Sequence, residues 1–458
     1  MGDVKGRKPL DEDSNRKAGV QPRGSGASAD SPIARQVSER PMFDEHSMEV
    51  ICANENLVRA LARVRQNRGS PGVDGMTVDD LPAYLKDNWR WIRRRLLDGS
   101  YRPKPVKRVE IPKPGSQERR KLGIPCVLDR FIQQALLQVL QKPWDRTFSD
   151  HSYGFRPGRS AHQAIAKAQG YVQQGFGIVV DIDLERFFDR VCHDRLMSRL
   201  AARIEDKRVL KVIRAYLEAG IMEDGLVTVP MEGTPQGGPL SPFLSNVVLD
   251  DLDKELEARG LAFVRYADDS NVYVKSRRAG ERVMRSLTRF IEVRLKLTVN
   301  VTKSAVARPQ ERKFLGFTLT GGKHPNRRKI APASIKRFRA KARQLTRRNW
   351  GISMEERVQR LSLYLRGWQG YFGYCETPYV LRDLDSWLRR RLRSIQWKQW
   401  KTYGRRRTEL LRCGVGAELA LLTAWSAKGP WRMSHTPGVR IALSNQYFDR
   451  LGLPRLVN

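Results

Sequence analysis

Residues 263 to 274 read F-V-R-Y-A-D-D-S-N-V-Y-V, in which two apolar segments flank a short polar one. The pattern predicts a tight β-hairpin whose acidic turn is formed by Asp268, Asp269, Ser270 and Asn271. Adjacent carboxylates in a turn repel each other unless a cation lies near them. An acidic turn taken alone favours a solvated surface hairpin, so its meaning depends on the sequence around it.

A second acidic segment, V-V-D-I-D-L-E-R-F-F-D at 179 to 189, changes that interpretation. The apolar run 177 to 182 predicts a buried strand that ends at Asp183. Side chains alternate along a strand, so Asp181 and Asp183 face the same side, and spacing alone does not choose between them. A third carboxylate beside the acidic hairpin would complete a two-metal site, because Mg²⁺ binds oxygen ligands and promotes phosphoryl transfer.

The rest of the chain predicts an α+β fold. Helical periodicity begins near Asn54, and short β-type segments at 107 to 111 and 121 to 124 indicate a hairpin that presents cations. Strand signals fade after about Ile330, and the chain up to about Tyr403 is helical and rich in Lys and Arg. These features predict a sheet with covering helices, followed by a basic helical region.

One long helix in the basic region has a clear start and a clear buried side. Ser353 and Glu356 form a capping-box pattern, which predicts the first turn of the helix. An apolar stripe follows at helical spacing: Val358, Leu361, Leu365, Trp368 and Phe372. We expect this stripe to form a buried seam, with cations on the opposite side.

Charge and composition indicate a nucleic-acid partner. The chain has 458 residues, and its 85 Lys and Arg against 49 Asp and Glu give a formal net charge of +36. Such an excess would repel itself unless a polyanion shared the surface. The five cysteines include no C-x-x-C pair, and no apolar run reaches membrane-spanning length. We therefore expect a cytoplasmic protein without membrane association, and a flexible tail over residues 1 to 45.

The ordered motifs resemble those of the group II intron reverse transcriptases. The hairpin carries that family's Y-A-D-D, and the earlier segment carries D-x-x-x-F-F-D from Asp183 to Asp189. Further motifs follow in the family's order: R-R-K-L-G-I-P at 119 to 125, S-Y-G-F-R-P-G-R-S at 152 to 160, G-T-P-Q-G-G-P-L-S-P at 233 to 242, L-K-L-T-V-N-V-T-K-S at 295 to 304 and F-L-G-F at 314 to 317. The resemblance covers nearly everything from about residue 54, and it selects Asp183 rather than Asp181 as the metal-binding residue.

The resemblance implies a right-hand polymerase with fingers, a palm built on an antiparallel sheet, and a helical thumb. It places the fingers and palm at 46 to 330 and the thumb, with the maturase (X-like) region, at 331 to 403. A basic C-terminal nucleic-acid-binding segment would occupy 404 to 458. The expected activity is RNA-directed DNA synthesis, together with binding of the parent intron RNA to help it fold, splice and move.

The same resemblance assigns residues to the polymerase site. Asp183, Asp268 and Asp269 would be catalytic and would bind two Mg²⁺ ions, or Mn²⁺ in their place. Five residues are candidates for binding the incoming deoxynucleoside triphosphate: Lys113, Arg120, Phe188, Gln236 and Lys303.

Each nucleotide-binding candidate has an expected role and a plain structural alternative. Lys113 and Arg120 would contact the triphosphate, or else are exposed cations on a hairpin. Phe188 would exclude the 2′-hydroxyl of a ribonucleotide, although an aromatic there also suits a buried strand-to-helix junction. Gln236 would hydrogen-bond the nucleotide or template from a glycine turn, and Lys303 would place a proton donor near the leaving pyrophosphate.

The basic helical region is expected to bind RNA, because helix-borne cations can track phosphates. Seven residues are candidates: Lys336, Arg337, Arg339, Lys341, Arg343, Arg347 and Arg348. The expected partners are group II intron RNA, an RNA template with a DNA or RNA primer, target DNA and deoxynucleoside triphosphates.

The C-terminal segment departs from the many family members that end in a zinc-dependent H-N-H nuclease with paired cysteines. After Tyr403 the sequence offers only Cys413 and His435, and segment 427 to 454 resembles the ending of the bacterial class without that nuclease. We therefore expect no endonuclease activity. Two alternatives remain, a non-enzymatic RNA-binding splicing factor and a reverse transcriptase with a non-intron retroelement or defence role; the complete Asp triad argues against the first.

Overall fold

The computed structural model describes residues 47–112, 119–223, 226–228, 232–234 and 237–457. The predicted flexible tail lies outside this range, as do Lys113 and Gln236, and the side chain of Arg120 is likewise not described. Within the described residues, no helix is both long and apolar enough to cross a lipid bilayer.

Helices form most of the described chain. In chain order the α-helices are α1 (Met48–Ile51), α2 (Asn54–Asn67), α3 (Leu81–Leu97), α4 (Val127–Asp145), α5 (Ala161–Gln173), α6 (His193–Ala201), α7 (Lys207–Leu217), α8 (Ser241–Ala258), α9 (Arg277–Arg289), α10 (Pro332–Leu345), α11 (Met354–Phe372), α12 (Pro378–Gln399), α13 (Tyr403–Arg412), α14 (Ala417–Ala424), α15 (Pro430–Met433), α16 (Pro437–Ala442) and α17 (Asn445–Arg450). Short 3₁₀ turns at Phe187–Asp189 and Pro309–Glu311 and a π-helical turn at Phe290–Leu295 add to these.

The described strands all precede the basic helical region. They are β1 (Val106–Pro112), β2 (Arg119–Ile124), β3 (Ile178–Ile182), β4 (Ile221–Glu223), β5 (Leu226–Thr228), β6 (Ala262–Tyr266), β7 (Asp269–Val274), β8 (Ala305–Ala307), β9 (Phe317–Leu319) and β10 (Arg328–Ile330). They form a palm sheet in the order β6-β7-β3-β8, a fingers sheet in the order β2-β1-β4-β5, and the pair β9-β10. The predicted α+β class is confirmed.

The palm sheet is antiparallel throughout and is covered on both faces. Val180 of β3 and Phe263 of β6 are fully buried in the main core, to which α8 and α9 contribute. Their strand neighbours Val179 and Val264 face the other side, where α5 packs. This alternation of buried apolar residues on two faces explains why these segments form central strands.

The acidic hairpin differs from the predicted one in the position of its turn. Tyr266 pairs with Asp269, so Ala267 and Asp268 form a two-residue turn and Asp269 begins β7. Ala267 has a φ of 57°, the left-handed conformation that tight turns between antiparallel strands favour. The prediction that the whole D-D-S-N segment forms the turn is therefore wrong, because its last two residues are buried strand residues paired with β3 and β6.

The fingers sheet contains the predicted hairpin. Strands β1 and β2 pair antiparallel, with Lys107 opposite Ile124 and Pro112 opposite Arg119. Strand β4 then adds parallel to β1, and β5 forms the edge. The sheet therefore carries a long basic hairpin beside the palm.

The basic helical region builds a second core from α10, α11, α12 and the helices that follow. The predicted stripe of α11 is buried from Val358 to Trp368, and Phe372 is partly buried against the same core. The Ser353 hydroxyl accepts from the N–H of Glu356 at 3.1 Å, as the capping pattern predicts. The Glu356 carboxylate instead accepts from Arg360 at 2.6 Å, so only half of the capping box forms.

Candidate active site

A cavity of about 1680 Å³ lies between the fingers sheet and the palm sheet. Asp183, from the end of β3, and Asp268 and Asp269, from the acidic hairpin, all line it. Two segments that are 85 residues apart in the sequence (183 and 268) thus bring three carboxylates to one wall.

Asp183 is held in place through its backbone by the segment that follows the π-helical turn. Its N–H donates to Ser304 Oγ at 3.0 Å, and its carbonyl accepts from the N–H of Asn300 at 2.8 Å. These bonds satisfy the backbone groups of Asp183 beyond the end of the strand. The carboxylate lines the cavity, where Oδ2 lies 3.7 Å from Lys303 Nζ.

Asp181, the alternative metal-binding candidate, has a different environment. Its Oδ2 pairs with Arg312, 2.6 Å from Nη2 and 2.8 Å from Nε, and Arg312 also donates to the carbonyl of Lys303. Burial raises the pKa of Asp181 above its ordinary value, and the bond to Arg312 opposes this shift only in part. Among the described residues, those that line the cavity include Asp183 and do not include Asp181.

The two hairpin carboxylates lie in a strongly negative environment. Asp269 is open to the cavity. The protein around Asp269 shields its carboxylate from water, and this desolvation is the main cause that raises its pKa to about 6. Repulsion from Asp268, Asp181 and Asp183 raises the pKa further. A bound cation would relieve this repulsion and favour the ionised carboxylates.

The donor set of this wall fits a hard divalent cation, because it consists of carboxylate oxygens. Among the described residues, no three Asp, Glu, His or Cys side chains lie close enough together to hold a metal ion by themselves. Mg²⁺ commonly takes one or two carboxylates and completes its coordination with substrate phosphates and water. The arrangement therefore fits an open site that a phosphate-bearing substrate completes.

Phe188 lies on the cavity wall and is only partly buried, whereas Phe187 is a core residue at 3% exposure. The carbonyl of Phe188 accepts from the N–H of Thr234 at 2.6 Å. Gly233, with a φ of 98°, passes so close that a Cβ there would lie 2.9 Å from that carbonyl oxygen. The start of the glycine-rich loop therefore packs against the residue predicted to select the sugar.

The structure describes the other nucleotide-binding candidates to different extents. Lys303 lines the cavity, and its side chain is 61% exposed. Arg120 lies in β2 opposite Ile111, whereas Lys113 and Gln236 are outside the described residues. The nucleotide-binding roles of these four basic and polar residues stay predictions.

The cavity also contains cations that were not among the predicted site residues: Arg108, Arg119, Lys121, Arg186 and Arg190. Three of them come from the fingers hairpin, and the other two flank F-F-D. The sequence pattern could have indicated two of the hairpin cations, because Arg119 and Lys121 are two residues apart on one strand and their side chains share a face. Asn300 and Ser304 stand in the quoted motif at 295 to 304 and Arg312 in no quoted motif, but no local pattern predicts their contacts with the acidic strand, because these are long-range.

The predicted RNA-binding residues form a surface that we call the α10 face. Five of them lie on α10 and two follow it, and all seven are exposed. The buried side of α10 carries Phe338 and Ala342, both at 0% exposure. The guanidinium groups of Arg339 and Arg343 each lie 5.8 Å from the centre of the Trp387 ring. The assignment of RNA binding to this face stays a prediction.

Comparison with known proteins matches two families in chain order. Residues 111–319 match the reverse transcriptase (RNA-dependent DNA polymerase) family, and residues 335–414 match the group II intron, maturase-specific domain. Protein YkfC of Escherichia coli (strain K12) is 33% identical over 301 residues, which are 57% of this chain and 78% of YkfC. The chain belongs to the group II intron reverse transcriptase and maturase family. The predicted right-hand fold and the predicted reverse transcriptase class are thereby confirmed.

Other relatives of this group II intron reverse transcriptase match over smaller shares of their length. Group II intron-encoded protein LtrA of Lactococcus lactis subsp. cremoris is 34% identical over 198 residues, which are 43% of this chain and 32% of LtrA. A probable RNA-directed DNA polymerase from transposon BS of Drosophila melanogaster is 24% identical over 407 residues, covering 73% of this chain and 42% of that protein. Reverse transcriptases generally use divalent metal ions, which agrees with the carboxylate wall of the cavity.

Proposed function

We propose that this reverse transcriptase is encoded by a group II intron, and that it copies RNA into DNA with two Mg²⁺ ions bound by Asp183, Asp268 and Asp269. The observation that carries the proposal is the convergence of these carboxylates on one cavity wall, together with Phe188. The match to a maturase-specific domain supports a second role, the binding of intron RNA to assist splicing and mobility.

Divalent cations bound at this wall would activate the primer 3′-hydroxyl and neutralise charge on the phosphates. The chain's own residues would position the substrates. Phe188 would lie against the sugar and exclude a 2′-hydroxyl, which favours deoxynucleotides over ribonucleotides. Lys113 and Arg120 of the fingers hairpin would donate charge-assisted hydrogen bonds to the triphosphate. Lys121, which lines the cavity, would add a further positive charge there, and Lys303 would protonate the leaving pyrophosphate.

The proposed nucleic-acid partners follow from the charge and from the two matched domains. The α10 face would contact phosphates of intron RNA or of the template, since seven exposed cations lie there. An RNA template paired with a DNA or RNA primer would enter the cavity, and target DNA would be the site of insertion. We place the protein with these partners in the bacterial cytoplasm.

Primer extension tests the proposed activity. The reaction uses an RNA template, Mg²⁺ and deoxynucleotides, and it compares the wild-type chain with Asp268→Asn and with Asp79→Asn, an exposed acidic residue away from the cavity. A reaction with ribonucleotides only tests sugar selection. The wild type and Asp79→Asn should extend the primer with deoxynucleotides alone, and Mn²⁺ should support extension after Mg²⁺ is removed.

Asp268→Asn should abolish extension while RNA affinity stays equal or rises, because the change removes a metal ligand and no phosphate contact. Retained extension by Asp268→Asn would contradict the metal assignment. If neither protein extends a primer although both bind structured RNA tightly, a splicing factor without polymerase activity becomes the better function.

A further inference from the structure

Arg265 lies in β6, three residues before Asp268, and its side chain is fully buried. The guanidinium pairs at two points with Asp253 of α8, which is equally buried: Nε donates to Oδ1 at 2.7 Å and Nη2 donates to Oδ2 at 2.5 Å. Nη1 donates to Asn246 Oδ1 at 3.0 Å and to the carbonyl oxygen of Ala267 at 2.9 Å. One bond of this buried cation therefore goes to the turn of the acidic hairpin.

Ala267 is the turn residue directly before Asp268, and its left-handed φ of 57° is unfavourable for a residue with a Cβ. Two contacts hold it. Arg265 binds its carbonyl, and Gly154 packs so tightly against its nitrogen that a Cβ on Gly154 would collide with that atom. Asn246 links the two contacts, because its Nδ2 donates to the carbonyl of Gly154 at 2.9 Å.

The carbonyl that Arg265 binds belongs to the peptide bond leading into Asp268. Because a peptide is planar, fixing its oxygen also fixes the direction in which the Cα of Asp268 follows. Stability alone does not explain the buried charge, since apolar residues of similar volume commonly replace a buried ion pair without loss of stability. A requirement for one fixed geometry of the hairpin explains the buried charge better.

We propose that Arg265 is a positioning residue for the polymerase reaction: with Asp253 and Asn246 it holds the Ala267–Asp268 peptide so that the Asp268 carboxylate faces the cavity. The inference rests on the proposed role of Asp268. Arg265 has no exposed surface, so it acts through the hairpin and not on the reacting atoms.

Arg265→Lys in the full-length protein tests the proposal. Lysine keeps the charge beside Asp253 but lacks the planar fork that reaches Asn246 and Ala267 together. We expect faster amide hydrogen exchange in the peptide that spans β6, the turn and β7, and weaker Mn²⁺ binding measured by electron paramagnetic resonance. We also expect kcat for nucleotide addition to fall by about 10- to 100-fold, because small displacements of a positioned group cost rates of this order. The Kd for template and primer should not change.

Arg389→Lys is the matched control. Arg389 is 1% exposed and pairs with Asp385 and Asp449 in the second core, far along the chain from the hairpin. Its replacement should lower thermal stability while hairpin exchange and Mn²⁺ binding stay at wild-type values. If Arg265→Lys likewise changes only thermal stability, Arg265 is a packing residue and the proposal is wrong.

If Arg265→Lys does not give folded protein, Asn246→Ala decides, because it leaves the ion pair between Arg265 and Asp253 in place. This variant should also speed hairpin exchange and weaken Mn²⁺ binding, and wild-type values for both would overturn the proposal. Failure of the proposed function would be seen in a different experiment, as retained extension by Asp268→Asn, which contradicts the metal assignment. The rate of hydrogen exchange in the hairpin can be measured whether or not the protein is active, so it tests the role of Arg265 separately.

Discussion

Asp181 and Asp183 show how the surroundings of a single residue separate two otherwise equivalent candidates. Asp181 lies within β3, paired with Asn271 on one side and Ala305 on the other, and its carboxylate binds Arg312. Asp183 lies one residue beyond the strand and reaches the cavity. The end of the strand, together with a nearby guanidinium, therefore distinguishes a structural carboxylate from one available to a cation.

This difference predicts opposite outcomes for two matched substitutions. Asp183→Asn should lower the rate of primer extension by on the order of 10³-fold, because a metal ligand supports several kcal/mol of transition-state stabilisation. Asp181→Asn should keep most of the activity but lower the free energy of unfolding by about 1–3 kcal/mol, since Arg312 loses its charged acceptor. Single-nucleotide addition and thermal denaturation measure the two effects, and equal loss of activity in both variants would refute the distinction.

Among the elements, α10 is built to be a binding helix rather than a core helix. It buries a narrow apolar side against the second core and exposes cations along the rest of its surface. Cations on an exposed helix bind a polyanion mainly by releasing its counterions, so the affinity should depend steeply on salt. The salt dependence of the affinity can therefore be measured without knowing the RNA sequence.

Changing Arg337, Arg339 and Arg343 together to Ala should weaken RNA binding and flatten its salt dependence. If each contacts one phosphate, the slope of log K against log salt should fall in magnitude by about 2–3. Filter binding at several salt concentrations measures the slope, and circular dichroism verifies that α10 remains folded.

The control for this triple variant removes the same charge from another helix. Arg278, Arg282 and Arg285 are exposed on α9, which packs behind the palm sheet. Their change to Ala should alter the slope much less than the α10 variant does. Equal slopes for the two triple variants would show that net charge, and not the α10 face, determines binding.

On the scale of the whole molecule, a polar network around Glu376 joins α5 and β10 to the basic helical region. Its Oε2 accepts from Gln169 Nε2 of α5 at 2.8 Å and from the N–H of Arg328 at 2.7 Å, and its Oε1 lies 3.2 Å from Arg328 Nη2. Beside it, the rings of His162 and Tyr374 stack at 4.5 Å. These contacts connect α5, which packs under the palm sheet, to the segment between α11 and α12.

Loosening this junction should affect sustained synthesis more than chemistry. Glu376→Ala removes three partly buried polar contacts, so the free energy of unfolding should fall by about 1–3 kcal/mol. Products from a single binding event should become shorter, while the rate of adding the first nucleotide stays near the wild-type value. Primer extension with a trap for released enzyme separates these two quantities.

Glu356→Ala is the control, because the partly exposed Glu356 of α11 pairs with Arg360 one turn away and both side chains reach solvent. Exposed pairs of this kind contribute less than about 1 kcal/mol, so product length should not change. If the two glutamate variants give the same product lengths, the junction at Glu376 does not control processivity.

The sequence by itself determined the α+β class, the strands that end at Asp183 and at the acidic hairpin, the buried stripe of α11 and the family. Each of these follows from a local pattern: apolar alternation, helical spacing, or motifs in a fixed order. The net charge of +36 likewise indicated a nucleic-acid partner without any structure.

Only the tertiary structure decided the register of the turn at Ala267, the pairing of Asp181 with Arg312, the approach of Gly233 to Phe188 and the buried contacts of Arg265. The physical reason is that periodicity and propensity act over a few neighbouring residues, whereas these contacts join segments from separate parts of the chain. Arg312 follows Asp181 by 131 residues, and no local pattern indicates which carboxylate its guanidinium binds.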